Sequence, residues 1–226
     1  MKKYICIFYI LFSFFNVFAN ESHYKNLSKI EMDVLRNDKI IGYSNYFFKH
    51  DEETMTVENY TKFIVEVFGV KVFSIDSKSK EIYKKDKLIS FESTTLQNNK
   101  KKIVQLNYDE KKNKFIINGS SYVGEANLDN VIGNWWNSKI LETNQQISPL
   151  SGSIKQQVIT FIGKENIELY GKNYLVDHYK LKSKNQDLPD DKKLDFDIWL
   201  DKKNNLILKI AYTKMGKWEY RLKSFE

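Results

Sequence analysis

The chain has 226 residues, a formal net charge of +7, three histidines and one cysteine. That length allows one well-filled core, and a lone cysteine excludes both an internal disulfide and a zinc site built on cysteines. The basic excess is too small to define a partner. Many lysines stand in turn-like runs such as Lys84-Lys85-Asp86-Lys87, Lys100-Lys101-Lys102 and Lys111-Lys112-Asn113-Lys114, which read as solvated hairpin ends or as attraction to anionic lipid headgroups or polyanions.

Residues 1–19 read as a cleavable secretory signal. Lys2 and Lys3 precede an uncharged run through Phe15, and Val17-Phe18-Ala19 supplies a peptidase site. The apolar run is about a dozen residues, short of the roughly 20 that cross a bilayer, so no stable membrane span is expected after cleavage. Cys6 lies inside this run and leaves with it. Loss of Lys2 and Lys3 lowers the formal charge from +7 to +5. The expected address is periplasmic or secreted.

Residues 20–226 read as a single domain rich in strands. Ile30-Glu31-Met32-Asp33-Val34 alternates with a period of two, then the turn Arg36-Asn37-Asp38-Lys39 leads into a second run at 40–48, which makes a hairpin. In residues 54–68, Met55, Val57, Phe63, Val65 and Val67 share one face. Short strands are expected next at 70–75, 80–83, 88–97, 101–108 and 114–118, a meander of antiparallel neighbours. The second half repeats the style at 157–162, 167–170, 172–181, 195–200, 206–212 and 218–223.

One stretch breaks the alternation. In residues 127–141, Leu128, Val131, Ile132, Trp135 and Trp136 recur at intervals of three and four, which predicts a short helix with Asn127 as its N-cap. Residues 142–155, with Pro149 and Gly152, form the longest aperiodic connection, the kind of loop that often carries function. About a dozen strands exceed what a flat sheet tolerates. The expected fold is therefore all-β, an antiparallel meander forming a strongly curved sheet or barrel, with one short helix packed on or capping it.

Chemistry-bearing constellations are sparse. His23 lies beside the cleavage site, His50 follows no metal spacing next to Asp51, and His178 sits in a strand between Asp177 and Tyr179. Neither Gly-Xaa-Ser-Xaa-Gly nor a phosphate-binding glycine loop is present, and no cofactor or metal is implied. Asp195 and Asp197 face one side of a strand and suit general acid-base work. An outward acidic stripe opposite Phe196, Ile198 and Leu200 explains the same residues as the ordinary alternation of a half-buried strand. Nucleic-acid partners are not expected, because the basic residues lack an interleaved aromatic motif. The aromatic residues Trp135, Trp136, Trp199 and Trp218 could line a cavity for an acyl chain or fill a solid core.

A set of short motifs, in order, resembles an exported bacterial family, domain of unknown function 6134. They are Trp135-Trp136-Asn137, Ile140-Leu141, Ser151-Gly152, Ile162-Gly163, Tyr170-Gly171, His178-Tyr179-Lys180-Leu181, Ile198-Trp199-Leu200-Asp201 and Glu219-Tyr220-Arg221-Leu222, with Asp38-Lys39-Ile40-Ile41-Gly42 and Glu81 upstream of Lys85-Asp86-Lys87-Leu88. The likeness covers nearly all of residues 20–226. It implies an extracytoplasmic all-β protein without an assigned activity. Leu200 stands where the resemblance leads one to expect tyrosine, which removes a hydroxyl from any polar site there.

Three readings follow. The first is a non-enzymatic binding or carrier protein for an apolar or amphiphilic ligand such as a lipid, with Trp135, Trp136, Asn137, Trp199 and His178 as ligand contacts and the two adjacent tryptophans in a lid. The second is an envelope interaction module that binds another protein through a strand edge or through residues 142–155. The third is a hydrolase using His178 with Asp177 or Asp195.

Overall fold

The computed structural model describes residues 24–190 and 192–226; the expected export signal lies outside them. Eight strands form an up-and-down run: β1 (Lys29–Arg36), β2 (Lys39–Asp51), β3 (Thr54–Val67), β4 (Val70–Lys84), β5 (Lys87–Gln97), β6 (Lys100–Asp109), β7 (Lys114–Gly119) and β8 (Tyr122–Ala126). The remaining strands are β9 (Val131–Ile132), β10 (Gln145–Ile147), β11 (Ile154–Leu169), β12 (Lys172–Ser183), β13 (Asp195–Asp201), β14 (Leu206–Thr213) and β15 (Lys217–Phe225). Tight two-residue turns with positive φ at both positions join many of them, at Asn37–Asp38, Phe68–Gly69, Lys85–Asp86, Asn98–Asn99 and Tyr170–Gly171. Such turns match the right-handed twist of their strands.

All fifteen strands belong to one sheet, in the order β8-β7-β6-β5-β4-β3-β2-β1-β15-β14-β13-β12-β11-β10-β9. Every pairing is antiparallel except β9 with β10. Laid flat, the edge strands β8 and β9 would lie roughly 65 Å apart at the usual strand spacing. Only residues 127–130 connect them, a span of at most about 18 Å. The sheet must therefore curl until its edges face each other, and it does so without closing. This is the curved, barrel-like, all-β architecture expected.

The expected helix is the main correction. Residues 127–141 contain β9 and a single 3-10 turn, Ser138–Leu141, whose cap is Asn137 and not Asn127. The spacing of three and four arises because an irregular extended segment buries Ile132 and Trp136 while leaving Leu128 exposed. Gly133 lies close under β10, where a Cβ would stand 2.0 Å from Gln146 Oε1. The aperiodic stretch at 142–155 likewise contains β10 and the start of β11.

Residues 133–141 and 146–152 pack against the inside of the curled sheet, while Glu142 and Asn144 between them are exposed. Inward positions on the facing wall are small, including Ser79, Ser93 and Thr95, and they leave room for this segment. Ser93 Oγ donates to the Pro149 carbonyl at 2.6 Å, and a Cβ on Gly119 would meet the Ser151 carbonyl oxygen at 2.6 Å. Trp136 therefore belongs to a filled core. Trp136, Ile140 and Ile147 interleave there with Phe91, Leu106 and Ile198 from the walls. A smaller core at one end joins Val34, Phe63, Val65, Ile75 and Trp218.

Candidate functional site

The internal segment is held by a buried carboxylate. Glu81 shares the inward face of β4 with Ser79 and Tyr83 and is 1% exposed. Trp136 Nε1 donates to its Oε1 at 2.9 Å, Asn134 Nδ2 donates to the same oxygen, and Tyr83 Oη donates to Oε2 at 2.6 Å. No lysine or arginine pairs with it among the described residues. Burial raises the carboxyl to about 7, against the opposing pull of its three donors. Trp136 packs edge-on against Tyr24, Phe48 and Tyr83. At the other end of the segment Gln157 donates to the carbonyls of Ile140 and Thr143 and accepts from Gln146.

A cleft of about 250 Å³ lies against this segment. Tyr83, Leu88, Tyr108, Phe115 and Ile132 give it apolar walls, and Leu128, Asn130 and Asn137 also line it. Asp86, Lys87 and Lys139 reach it as well, and neither lysine forms an ion pair among the described residues. Asn130 is 4% exposed, and its Oδ1 accepts no hydrogen bond. The arrangement can take a short apolar group with an acidic end. A second depression, of about 380 Å³, runs along Leu141–Asn144 and Gln157–Ile159 and is wide open to solvent.

The predicted contacts divide into two places. Asn137 lines the cleft, and Trp136 lies behind it on Glu81 and Tyr83. Trp135 packs on Phe196 and Tyr220, and its backbone N–H donates to Tyr46 Oη. His178 and Trp199 are register partners on the sheet face opposite Leu181 and Ile198 and stack at 4.6 Å. There His178 Nδ1 lies 3.1 Å from Glu165 Oε1 and Nε2 lies 3.0 Å from Asp197 Oδ1.

That geometry argues against a hydrolytic base. Each ring nitrogen lies against a carboxylate, so neither is open to a substrate. The acids expected beside it are engaged elsewhere: Asp177 pairs with Lys202, and Asp195 with Lys180. Burial would raise Asp197, but Lys180 and His178 outweigh it and hold the carboxyl below its usual range. His50 bonds the Leu27 carbonyl. No three potential metal ligands cluster among the described residues.

A curled, unclosed sheet with an internal strap defines a barrel-like all-β protein. The profile of domain of unknown function 6134 matches residues 32–223, and the chain belongs to that family. The crystal structure of a beta-barrel-like protein of domain of unknown function 1849 from Brucella abortus superposes with a TM-score of 0.58 at 9% identity, covering 88% of this chain and 96% of that one. A protein with a YmcC-like fold from Bacteroides fragilis gives 0.34 at 10% identity over 88% and 94%, too loose a likeness to argue from. No curated protein matches. Among the described residues no helix is long and apolar enough to cross a membrane.

Sequence reasoning missed Glu81 as a site residue. Its parity with Tyr83 is the signal, since a carboxylate on an otherwise inward-facing row must find partners inside.

Proposed function

We propose that this protein is a non-enzymatic binding protein, acting in the periplasm or outside the cell, whose cleft takes the apolar end of a small anionic amphiphile. The observation that carries this reading is the cleft itself, with apolar walls and two lysines, Lys87 and Lys139, that form no ion pair among the described residues. Its volume is below the roughly 300–1,000 Å³ of sites that enclose a whole ligand. It therefore suits the end of one acyl chain rather than a whole lipid. Export is supported by the sequence of residues 1–19, and intact mass from the periplasmic fraction is expected to correspond to a chain beginning at Asn20.

Titration calorimetry with medium-chain fatty acids is expected to show saturable binding. Leu128→Glu, at the exposed mouth, should abolish it by setting a like charge at the opening. Lys139→Glu should weaken it about tenfold by opposing the acidic head. Binding that both variants leave unchanged would place the ligand elsewhere, and no binding across the series would end the reading.

A further inference from the structure

The hairpin of β3 and β4 reaches beyond its neighbours. Pairing of β3 with β2 ends at Phe63 with Gly42, and pairing of β4 with β5 ends at Ile75 with Gln97. Residues 64–73 thus run past their neighbours; Val65 is still buried in the smaller core, and residues 66–72 project as a short two-stranded finger. Gly42 marks the departure, since a Cβ there would sit 2.0 Å from the Lys62 carbonyl oxygen. The finger is stiff at its base, where Phe63 and Phe73 pack on Trp218. Beyond the base, Ile64, Val67, Val70 and Val72 are exposed, and Phe68 is wholly exposed at the tip.

Phe68 contrasts with the other aromatic turn residue. Tyr170 occupies the equivalent place before Gly171, also at positive φ, where asparagine and glycine are the favoured residues. Its hydroxyl donates to Asp33 at 2.6 Å, so its half-exposed side chain is tied back to the fold. Phe68 gains nothing from the fold.

The surroundings are basic. Antiparallel alternation puts the Asn37–Asp38, Asn98–Asn99 and 214–216 turns at the same end as the finger. They bring Lys39, Lys100, Lys101 and Lys217, none of which forms an ion pair among the described residues. The acids nearby are matched: Asp38 by Arg221, Asp76 by Lys62, and Glu66 stands opposite Lys71. The loop between β12 and β13 carries three lysines and three aspartates in residues 184–194 and adds no net charge.

We infer that the finger is an interfacial anchor that seats Phe68 and Val70 in a bilayer surface rich in anionic headgroups. An apolar tip together with a basic collar supplies the two signals that stable peripheral attachment requires. The tip is convex and lacks the recessed pockets that partner proteins fill. Insertion is shallow, because the strand edges at 64–67 and 70–73 carry unpaired backbone groups that the hydrocarbon core does not tolerate. The finger lies at the end of the sheet opposite the cleft, so this inference stands apart from the proposed ligand.

The test is flotation of the purified protein with phosphatidylglycerol-containing vesicles and with pure phosphatidylcholine vesicles. Binding is expected on the first and to weaken with salt. The double variant Phe68→Ser, Val70→Ser should lower partitioning about tenfold. Lys100→Gln with Lys101→Gln should lower it about tenfold on anionic vesicles only. Phe68→Trp should shift its emission to the blue on binding. All these sites are exposed, and circular dichroism checks that each variant is folded. Failure to bind anionic vesicles, or binding that the finger variants leave intact, overturns the inference. So does vesicle-free self-association that the Phe68 and Val70 changes abolish, which would give the finger to a second copy of the chain.

Discussion

Trp136→Ala is expected to lower the free energy of unfolding by about 4 kcal/mol, read from urea melts at neutral pH. The ring is 1% exposed and touches three aromatic neighbours with centroids 5.1 to 5.7 Å away. Removing it leaves a cavity in the middle of the internal segment and takes one of three donors from Glu81. Trp136→Phe separates the two effects, because it restores most of the volume but not the N–H. That variant should recover all but about 1–2 kcal/mol. A loss under about 1 kcal/mol for the alanine variant would mean that the segment is a removable lining and not part of the core.

The second large effect is a dependence of stability on pH, set by Glu81. Its value in the folded chain, about 7, lies above the ordinary 4.5, so the folded chain keeps a proton that the unfolded chain releases between those values. The resulting stabilisation is complete below about pH 4.5 and is lost as pH rises through about 7. A shift of this size is worth about 3 kcal/mol. Glu81→Gln removes the titration while keeping an acceptor for Trp136. Its stability should rise relative to the parent chain by about that amount between mildly acidic and mildly alkaline conditions. Parallel pH profiles for the two proteins would show that the carboxyl is not titrating in this window.

Much of the sheet was legible because its first half announces itself locally. Alternation in residues 30–34 and turns such as Asn37-Asp38 and Asn98-Asn99 need nothing from the rest of the chain. Boundaries failed where tertiary contacts bridge a polar interruption. The expected strands at 70–75 and 80–83 are one strand, β4, because Lys78 and Ser79 stay in the ladder opposite Tyr60 and Asn59. Those at 157–162 and 167–170 are also one strand, β11, which a bulge between Phe161 and Gly163 carries past His178.

The candidate site was less legible than the sheet. Glu81 and Trp136 are 55 residues apart, and nothing local in either stretch indicates the other. The recurring apolar spacing that suggested a helix comes from a strap threading the interior, where each burial is dictated by the wall it crosses. His178 and Trp199 were both singled out from the sequence, and only the register of β12 with β13 places them face to face.

The bridge of four residues between the edge strands has a topological consequence. β1 and β15 pair at the centre of the sheet, and the Ser28 amide bonds the carbonyl of Glu226, so the two ends of the described fold meet there. Reading onward from β9 through β15, across that seam and on to β8 visits every strand in its spatial order. Apart from the parallel step from β9 to β10, the fold is a zigzag whose two described ends meet in the middle of the sheet. Joining the ends and opening residues 127–130 would leave every strand pairing between sequence neighbours. The seam would lose its long loop closure, while the strap between β9 and β10 would remain the one excursion from a pattern built entirely of adjacent turns.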